Sequence, residues 1–248
     1  MIGECKLCKN IAELSESHIV SRFLLKESRV IGDKKKFDII CYSNPEHSER
    51  HRQDGIKEHL LCAACETTRL APLERYARNT FYGPTGPFER SHDIGFRWTG
   101  LDYAKMKLFT TSILWRMSLS AHQFYAGVEL GERHEERIRK MLLNKNPMED
   151  WRYGCAIGFL LYGGKPMGGI FSQPQAFVPA ERRHGYRFMM AGMVWFFFVN
   201  SHALHDENAI GFLQPAGTWI VPTMEAFQIP FIRQEVDAYR KHSSRLAT

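Results

Sequence analysis

Four of the six cysteines in this 248-residue chain form two pairs of identical spacing, Cys5-Lys-Leu-Cys8 and Cys62-Ala-Ala-Cys65. A CxxC turn places two thiolates on one side of a tight backbone turn, and two such turns can complete a tetrahedral four-thiolate zinc site. A redox-active CxxC is the competing interpretation, but two pairs flanking a mixed insert favour a metal. We therefore predict a structural zinc ion held by these four cysteines.

A histidine follows Cys8 by ten residues and opens the apolar pair Ile19-Val20. Histidine has an unperturbed pKa near 6.5, so it is largely neutral at pH 7 and can accept a proton from water. Most histidines beside apolar residues pack or hydrogen-bond within a core, and this is the alternative for His18. Other polar residues that could share a site with it are Ser17, His59, Glu66 and Glu74.

These companion residues also have purely structural interpretations. Glu66 follows the second cysteine pair, and an acidic residue in a first helical turn is favourable in itself. His59 precedes an apolar pair, so it can pack or bond to the backbone. Glu74 falls on a predicted helix, where it could be solvated or paired with Arg75 or Arg78.

The chain between these residues predicts short strands and three helices. Ile11 to Leu14 and His18 to Phe23 are expected to be two short extended segments. Thr67 to Asn79 has helical spacing. Asp102 to Ala121 is predicted to be an amphipathic helix capped by its first residue, and Glu132 to Leu143 to be a charged helix.

The last third of the chain changes character. Its apolar, aromatic-rich runs are separated by Gly, Pro and Asn, which is typical of strands in an antiparallel sheet. These runs are Cys155–Tyr162, Ala176–Val178, Tyr186–Val199 and Trp219–Pro222. The Gly/Pro-rich stretch Phe81 to Gly86 is the best candidate domain boundary.

The predicted fold class is α+β. A zinc-braced ββα module, treble-clef-like, is expected over residues 1–80. A helical connector is expected over 81–150, and an antiparallel β-rich domain of unknown role over 151–248.

Composition places few limits on function. The net charge of +6 and the pI near 9.0 are compatible with a polyanionic partner but do not require one. The N-terminus lacks a secretory signal pattern, and the most apolar run, Phe188 to Val199, is shorter than the roughly 20 residues that a membrane span needs. We therefore expect a cytoplasmic protein without a membrane partner.

The order of these motifs resembles that of the HNH, or ββα-metal, endonucleases, in particular those braced by a four-cysteine zinc. The resemblance covers residues 1 to about 80. It rests on the first cysteine pair, on Ser17-His18-Ile19-Val20, and on Leu60-Leu61 before the second pair and Glu66 after it.

The resemblance implies a DNA-cleaving enzyme in which His18 is the general base and Mg²⁺ or Mn²⁺ contacts the scissile phosphate. It implies that Ser17, Glu66 and Glu74 surround this cation, with His59 as a further catalytic candidate. Such proteins commonly serve in phage defence or in mobile elements.

Two departures from the family pattern support a second hypothesis. The position before the histidine most often holds Asp in the family, whereas this chain has Ser17, and the middle Asn of the family name has no clear counterpart. A hydroxyl is a poorer Mg²⁺ ligand than a carboxylate. The alternative is therefore a non-catalytic zinc module that binds nucleic acid or a protein partner, the latter through the C-terminal sheet.

Overall fold

A computed structural model describes residues 1–27, 40–41, 55–83, 88–91, 94–167, 171–178, 184–199, 210–235 and 237. The strands, numbered in chain order, are β1 (Ile2–Glu4), β2 (Ile11–His18), β3 (Ile40–Cys41), β4 (Lys57–Cys62), β5 (Phe88–Ser91), β6 (Gly95–Trp98), β7 (Gly154–Tyr162), β8 (Lys165–Pro166), β9 (Phe171–Ser172), β10 (Gln175–Phe177), β11 (His184–Met190), β12 (Met193–Val199) and β13 (Trp219–Glu225). The helices are α1 (Arg22–Glu27), α2 (Ala63–Cys65), α3 (Ala71–Tyr82), α4 (Tyr103–Leu119) and α5 (Glu132–Asn144). Within these residues, no helix combines the length and the apolar character needed to cross a membrane.

The N-terminal sheet is antiparallel, with strand order β1-β2-β4. Its register places Leu14 opposite Cys62 and His18 opposite Lys57. The register shifts next to Ser15, where β4 contributes one extra residue. This bulge explains why the consecutive residues Leu60 and Leu61 are both buried, although strand residues normally alternate between faces.

His18 ends a strand; the prediction that it begins one is wrong. A single strand, β2, runs to His18, and the chain then turns into α1. Ile19 and Val20 leave the ladder because both are buried in the core, with 0% and 1% of their surface exposed. The amide of Ile19 donates to the carbonyl of Ile56 at 3.0 Å, which closes the end of the hairpin.

A nearly continuous helical stretch starts directly after β4. It consists of α2, a π-helical turn at Glu66–Leu70, and α3, so the predicted helix over Thr67 to Asn79 is confirmed except for its wider first turn. The hydroxyls of Thr67 and Thr68 donate to the carbonyls of Ala63 and Ala64. These bonds satisfy acceptors that the irregular turn leaves without backbone donors.

Helix α4 is the central element of the fold. Asp102 caps it by accepting from the amide of Lys105 at 3.0 Å, as the sequence predicts. The prediction of an amphipathic helix is wrong, because every residue from Met106 to Met117 is buried. Helices α3 and α5 and strand β7 all pack against α4, and they leave it no solvent-facing side over this stretch.

The large sheet is mixed rather than purely antiparallel. Its strand order is β10-β11-β12-β7-β13-β6-β5, with β8 added beside β7. The first half of β13 pairs antiparallel with β6, and its second half, Thr223–Glu225, pairs parallel with β7. Gly95 makes the β6 pairing possible, since a Cβ at this position, with φ of +149°, would lie 2.2 Å from the carbonyl oxygen of Val221.

Two further features of this sheet bear on the predictions. Strands β5 and β6 belong to it, although they fall within residues 81–150, where a helical connector is expected. The apolar run Phe188 to Val199 forms part of the β11–β12 hairpin, as predicted, with a turn at Ala191–Gly192 where both φ angles are positive. Trp195 and Phe197 are fully buried within the chain. Protein binding through this sheet stays a prediction.

The N-terminal module and the large sheet share one hydrophobic core. A single cluster of buried residues extends from Cys5 and Leu7, through α4, to Trp219 and Val221. A second, smaller cluster lies around Met189 and Val194, whose side chains alternate with those of the main cluster along β11 and β12. Folding of the cysteine-bearing module is therefore coupled to the rest of the chain.

We predict that Lys107, a buried residue of α4, makes the unfolding free energy vary with pH in the alkaline range. Its ammonium donates to the backbone carbonyls of Glu149 and Asp150, and burial lowers its pKa to about 8. At Lys107 the unfolded state therefore binds more protons between pH 8 and about 10.5, so the contribution of this residue to the unfolding free energy rises with pH across this window. The rise should be at most on the order of 3 kcal/mol.

Denaturant titrations at pH 7.5, 9 and 10.5 test this expectation. The unfolding free energy of the wild type should rise relative to that of Lys107→Met as the pH increases, whereas its difference from Lys140→Met, at an exposed lysine, should stay constant. The same pH dependence in the Lys107→Met variant would contradict the prediction.

Candidate metal centre and catalytic cleft

The first cysteine pair lies on the tight turn between β1 and β2. The amide of Lys9 donates to the carbonyl of Cys5 at 2.9 Å, and the amide of Cys5 donates to that of Asn10 at 2.9 Å. Lys9 has φ of 68°, a left-handed conformation that reverses the chain just after Cys8. The two thiols are therefore presented by one compact turn.

The second pair lies where β4 passes into helix. Cys62 is the last residue of β4 and Cys65 the last residue of α2. Two hydrogen bonds join this segment to the first turn. The amide of Lys6 donates to the carbonyl of Leu60 at 2.9 Å, and the amide of Cys62 donates to the sulfur of Cys5 at 3.3 Å.

The sulfur atoms of Cys5, Cys8, Cys62 and Cys65 all lie within 4.8 Å of one another. Those of Cys8 and Cys62 are 3.9 Å apart. Zinc–sulfur bonds of about 2.3 Å place tetrahedral thiolates roughly 3.8 Å apart, so the cluster is compatible with a zinc site.

The electrostatics of the thiols are also consistent with metal binding. Burial acts to raise the pKa of Cys5, but donors led by the Cys62 amide outweigh it and bring the pKa to about 7. Burial raises the pKa of Cys65 well above that of an ordinary thiol. Four thiolates so close together need a cation to neutralise their charge.

We predict about one zinc ion per purified chain, measured by elemental analysis. Cys8→Ala should lose most of this zinc and unfold at a lower temperature, because binding of a structural zinc contributes on the order of 10 kcal/mol to folding. Cys155→Ala is the control, since Cys155 lies in β7 outside the cluster. Unchanged zinc content in Cys8→Ala would contradict the assignment.

His18 is the last residue of β2 and lies three residues before Ser21, which directly precedes α1. Its Nε2 atom is buried and has no hydrogen-bond partner among the described residues. Burial lowers the pKa of His18, and the positive charge of Lys57 across the ladder lowers it further, against an opposing effect of Glu74. The imidazole is therefore neutral at pH 7.

Ser17 and Glu66 provide two more buried polar atoms without partners. Ser17 Oγ and Glu66 Oε1 make no hydrogen bond within the described part of the chain, and Ser17 is 1% exposed. Burial raises the pKa of Glu66, whereas a contact with the Ser17 hydroxyl, outside good hydrogen-bond geometry, and the charge of Arg116 oppose this shift. The structure thus brings Ser17 and Glu66 close together, beside the cysteine cluster.

Glu74 is paired with a residue that the sequence did not suggest. Its Oε1 accepts from Ser21 Oγ at 2.7 Å and from Arg116 Nη1 at 3.0 Å. The predicted partners Arg75 and Arg78 are on the same helix, but Arg116 comes from α4. A charged residue inside the apolar run Ile113 to Met117 was the sequence signal that could have identified it.

The surroundings of Ser17, His18 and Glu66 are called the cleft below. Arg116 connects the elements around this cleft from within the core. It is 1% exposed, and its Nη1 donates to the carbonyl oxygen of His18 at 2.7 Å as well as to Glu74. Its Nη2 donates to Ser21 Oγ at 3.2 Å, and its Nε donates to the carbonyl of Ser112 at 3.3 Å. One side chain therefore fixes the end of β2, the residue before α1 and the first turn of α3.

Glu58 attaches the other hairpin strand to the end of the same helix. Its carboxylate accepts from Ser120 Oγ at 2.5 Å, and from the amides of Ala121 and His122 at 3.1 and 3.0 Å. Both β2 and β4 are thus held by α4 and the residues that follow it, which lie outside the module of residues 1–80.

His59 lies elsewhere on the hairpin. It is exposed, and its Nδ1 is 3.1 Å from the carbonyl oxygen of Leu14, towards the cysteine end of the ladder. This contact is the backbone interaction that the sequence left open as an alternative. A catalytic role for His59 stays a prediction.

The cleft combines a neutral imidazole, a buried carboxyl group, a hydroxyl and an Arg–Glu ion pair. A neutral imidazole can accept a proton, and unpartnered oxygen atoms of Ser17 and Glu66 can contact a hard cation or a water molecule.

Comparison with known proteins found no match: no protein-family model, no curated protein and no solved structure is similar to this chain.

We expect Arg116 and Glu74 to be coupled energetically. Arg116→Met should lower the unfolding free energy by about 3 kcal/mol or more, since it leaves buried acceptors unpaired. In a double-mutant cycle with Glu74→Ala, the loss in the double variant should fall short of the sum of the single losses by about 1–3 kcal/mol. A parallel cycle with the exposed Arg75→Ala should be additive. Additivity in the first cycle would show that the ion pair does not stabilise the fold.

Proposed function

We propose that this chain is a metal-dependent endonuclease of the HNH type that hydrolyses DNA phosphodiester bonds with His18 as the general base. The observation that supports it most is that one polar atom each of Ser17, His18 and Glu66 is buried without a hydrogen-bond partner among the described residues, while the charges of Glu74 and Arg116 act on both His18 and Glu66. These atoms are His18 Nε2, Ser17 Oγ and Glu66 Oε1. Unpaired buried polar atoms are costly for stability, so their presence favours a ligand-binding or catalytic role.

The local architecture supports the same proposal. Strand β2 ends at His18 and pairs with β4. Strand β4 runs directly, through the second cysteine pair, into the helical stretch that carries Glu66 and Glu74. The cysteine cluster joins hairpin and helix, and with zinc it would brace a ββα module of treble-clef-like form. The resemblance of the motif order to the HNH family adds to this argument.

His18 performs the central proton transfer in the proposed reaction. Its neutral Nε2 takes a proton from a water molecule, whose oxygen attacks the scissile phosphorus as the phosphorus–oxygen bond to the leaving sugar oxygen breaks, and that oxygen then takes a proton from solvent. Arg116 holds the backbone of His18 through the 2.7 Å bond to its carbonyl oxygen, and it therefore acts as a positioning residue. Burial keeps the imidazole unprotonated, so that it can accept this proton.

Ser17 and Glu66 are the residues that would hold a divalent cation in this cleft. When bound, Mg²⁺ or Mn²⁺ supplies charge neutralisation at the scissile phosphate and at the leaving oxygen. Glu74 supports the cleft less directly, because its Oε1 is already shared by Ser21 and Arg116.

A non-catalytic zinc module that binds nucleic acid or protein is the second candidate. The engagement of Glu74 by Arg116 favours it, because Glu66 is then the carboxylate of the cleft that remains open to a cation. Hard divalent cations are usually bound through one or two carboxylates, so Glu66 with Ser17 would be a minimal ligand set.

We predict that the zinc-loaded wild type nicks supercoiled plasmid in the presence of Mg²⁺ or Mn²⁺. His18→Ala should lower the nicking rate about 10²- to 10⁴-fold, the usual contribution of a general base. Glu66→Gln should lower it too, with partial recovery at higher metal concentration because the variant binds the cation more weakly. Gel assays of supercoiled and open-circular plasmid measure both effects.

Glu16→Gln is the matched control, because Glu16 is an exposed residue of the same strand as His18. All variants should contain wild-type amounts of zinc and melt at similar temperatures. A folded, zinc-loaded wild type that nicks neither supercoiled nor single-stranded DNA with any of these metals would favour the non-catalytic module. Equal rates in wild type and His18→Ala would remove His18 from the mechanism.

A further inference from the structure

A group of cationic side chains surrounds His134 and Tyr153, at the N-terminal half of α5 and just before β7. Arg133 and Arg137 are one turn apart on α5, on either side of His134. Arg152 precedes β7, and His184 begins β11. None of these residues takes part in the cysteine cluster or the cleft.

Tyrosine side chains fix the framework of this group. His134 Nδ1 lies 2.9 Å from the hydroxyl of Tyr153, and the two rings are nearly perpendicular. His184 Nε2 lies 2.9 Å from the hydroxyl of Tyr186, which also donates to the carbonyl of Glu129 at 2.6 Å. His134 in the first turn of α5 is therefore held to the residue before β7, and Glu129, which precedes α5, is held to β11.

Two of the three arginines of this group lack an ion pair in the described part of the chain, and the third, Arg152, is paired with Glu149. Arg133 and Arg137 form no ion pair with any residue that the structure describes, whereas Arg139 and Lys140 on the same helix both pair with Glu136. Arg152 stacks on Trp151 with 4.2 Å between its guanidinium carbon and the ring centre, and it contacts Glu149 at 2.6 Å.

The positive charges of this group lie close enough together to affect the protonation of His134. Burial lowers the pKa of His134, and the charges of Arg137 and Arg133 lower it further. Like charges held this close repel, and an anion bound between them would relieve the repulsion. Arg133 and Arg137 are exposed and half-exposed respectively, so an anion can reach them from solvent.

Helix α4 relates this group to the cleft. Trp115 Nε1 donates to the carbonyl of Glu135 in α5 at 3.1 Å, while the adjacent Arg116 donates to His18. The cleft and α5 are thus separated by the width of one helix, about 10 Å. Duplex DNA carries a phosphate charge about every 1.7 Å along its axis, so it offers several phosphates to a cationic group of this size.

We propose that Arg133 and Arg137, with Arg152 beside them, form a surface that binds the phosphate backbone of duplex DNA. This inference rests on the proposed nuclease function and adds its binding surface. Four helical residues rise about 6 Å along α5, comparable with the axial separation of phosphates one or two nucleotides apart. Arginine forks bind phosphate oxygens in a bidentate manner.

Salt-dependent DNA binding tests the surface without relying on catalysis. The zinc-loaded full chain is titrated into a fluorescent duplex of 20 base pairs without Mg²⁺ or chelator, at several NaCl concentrations. Each phosphate contact contributes about 0.9 to the slope of log K against log salt. The double variant Arg133→Gln/Arg137→Gln should therefore reduce the magnitude of this slope by about 1.8.

The matched control is Lys140→Gln/Lys145→Asn, which removes the same charge from the same helix and its C-terminal cap. Asn is suitable at residue 145 because its φ of 53° is left-handed. The control slope should stay within about 0.5 of the wild-type value, well under one phosphate contact. Zinc content and melting temperature should match in all three proteins.

Equal slopes in the two double variants would overturn the proposed surface, and so would a wild type that does not bind duplex DNA at any salt concentration. If the wild type nicks plasmid but the arginine variant keeps the wild-type slope, the surface is rejected and the nuclease function stands. If the arginine variant loses the predicted slope while no protein nicks DNA, the surface is supported and the nuclease function fails.

Discussion

The buried guanidinium of Arg116 is the interaction on which the rest of the cleft depends. A fully buried arginine is destabilising unless its donors are satisfied, and here each of its three nitrogens has at least one acceptor. Three of those acceptors belong to different elements of the N-terminal module: the end of β2, the segment before α1, and α3. The energetic cost of burying the charge is offset only when these elements are in place. The same constraint that stabilises the fold therefore sets the position of His18.

This dependence changes how the module of residues 1–80 is understood. The cysteine cluster joins the β2–β4 pair to the helix that follows it. Helix α4 supplies Arg116, and the residues directly after α4 supply the groups that donate to the Glu58 carboxylate. The shared hydrophobic core extends the same coupling to the large sheet. The cysteine cluster and the packing on α4 thus both constrain the same pair of strands, β2 and β4. Both constraints act on the cleft. Within it they leave Ser17 Oγ, Glu66 Oε1 and His18 Nε2 without hydrogen-bond partners among the described residues.

Much of the local structure could be predicted because it follows from local rules. Asp102 caps α4, the Phe188 to Val199 run forms part of a hairpin, and the charged helix spans Glu132–Asn144. Failures occurred where burial overrides periodicity. His18 ends its strand because Ile19 and Val20 are drawn into the core, and α4 loses its polar face because neighbours surround it. The parallel pairing of β13 with β7 joins segments distant in sequence, and no local pattern encodes it.

The sequence by itself determined the chemistry that is available: four thiols in two identical turns, a histidine at a fixed distance from the first, and carboxylates just after the second. Spacing decides these features because a CxxC turn is a local structure and needs no distant partner. Only the tertiary structure decided which of these groups meet and in what state. It paired Glu74 with Arg116 from α4, left Glu66, Ser17 and His18 Nε2 without partners, and turned His59 towards the backbone of Leu14. The reason is that burial and charge pairing depend on contacts between residues far apart in the chain, and these contacts exist only once the core has formed.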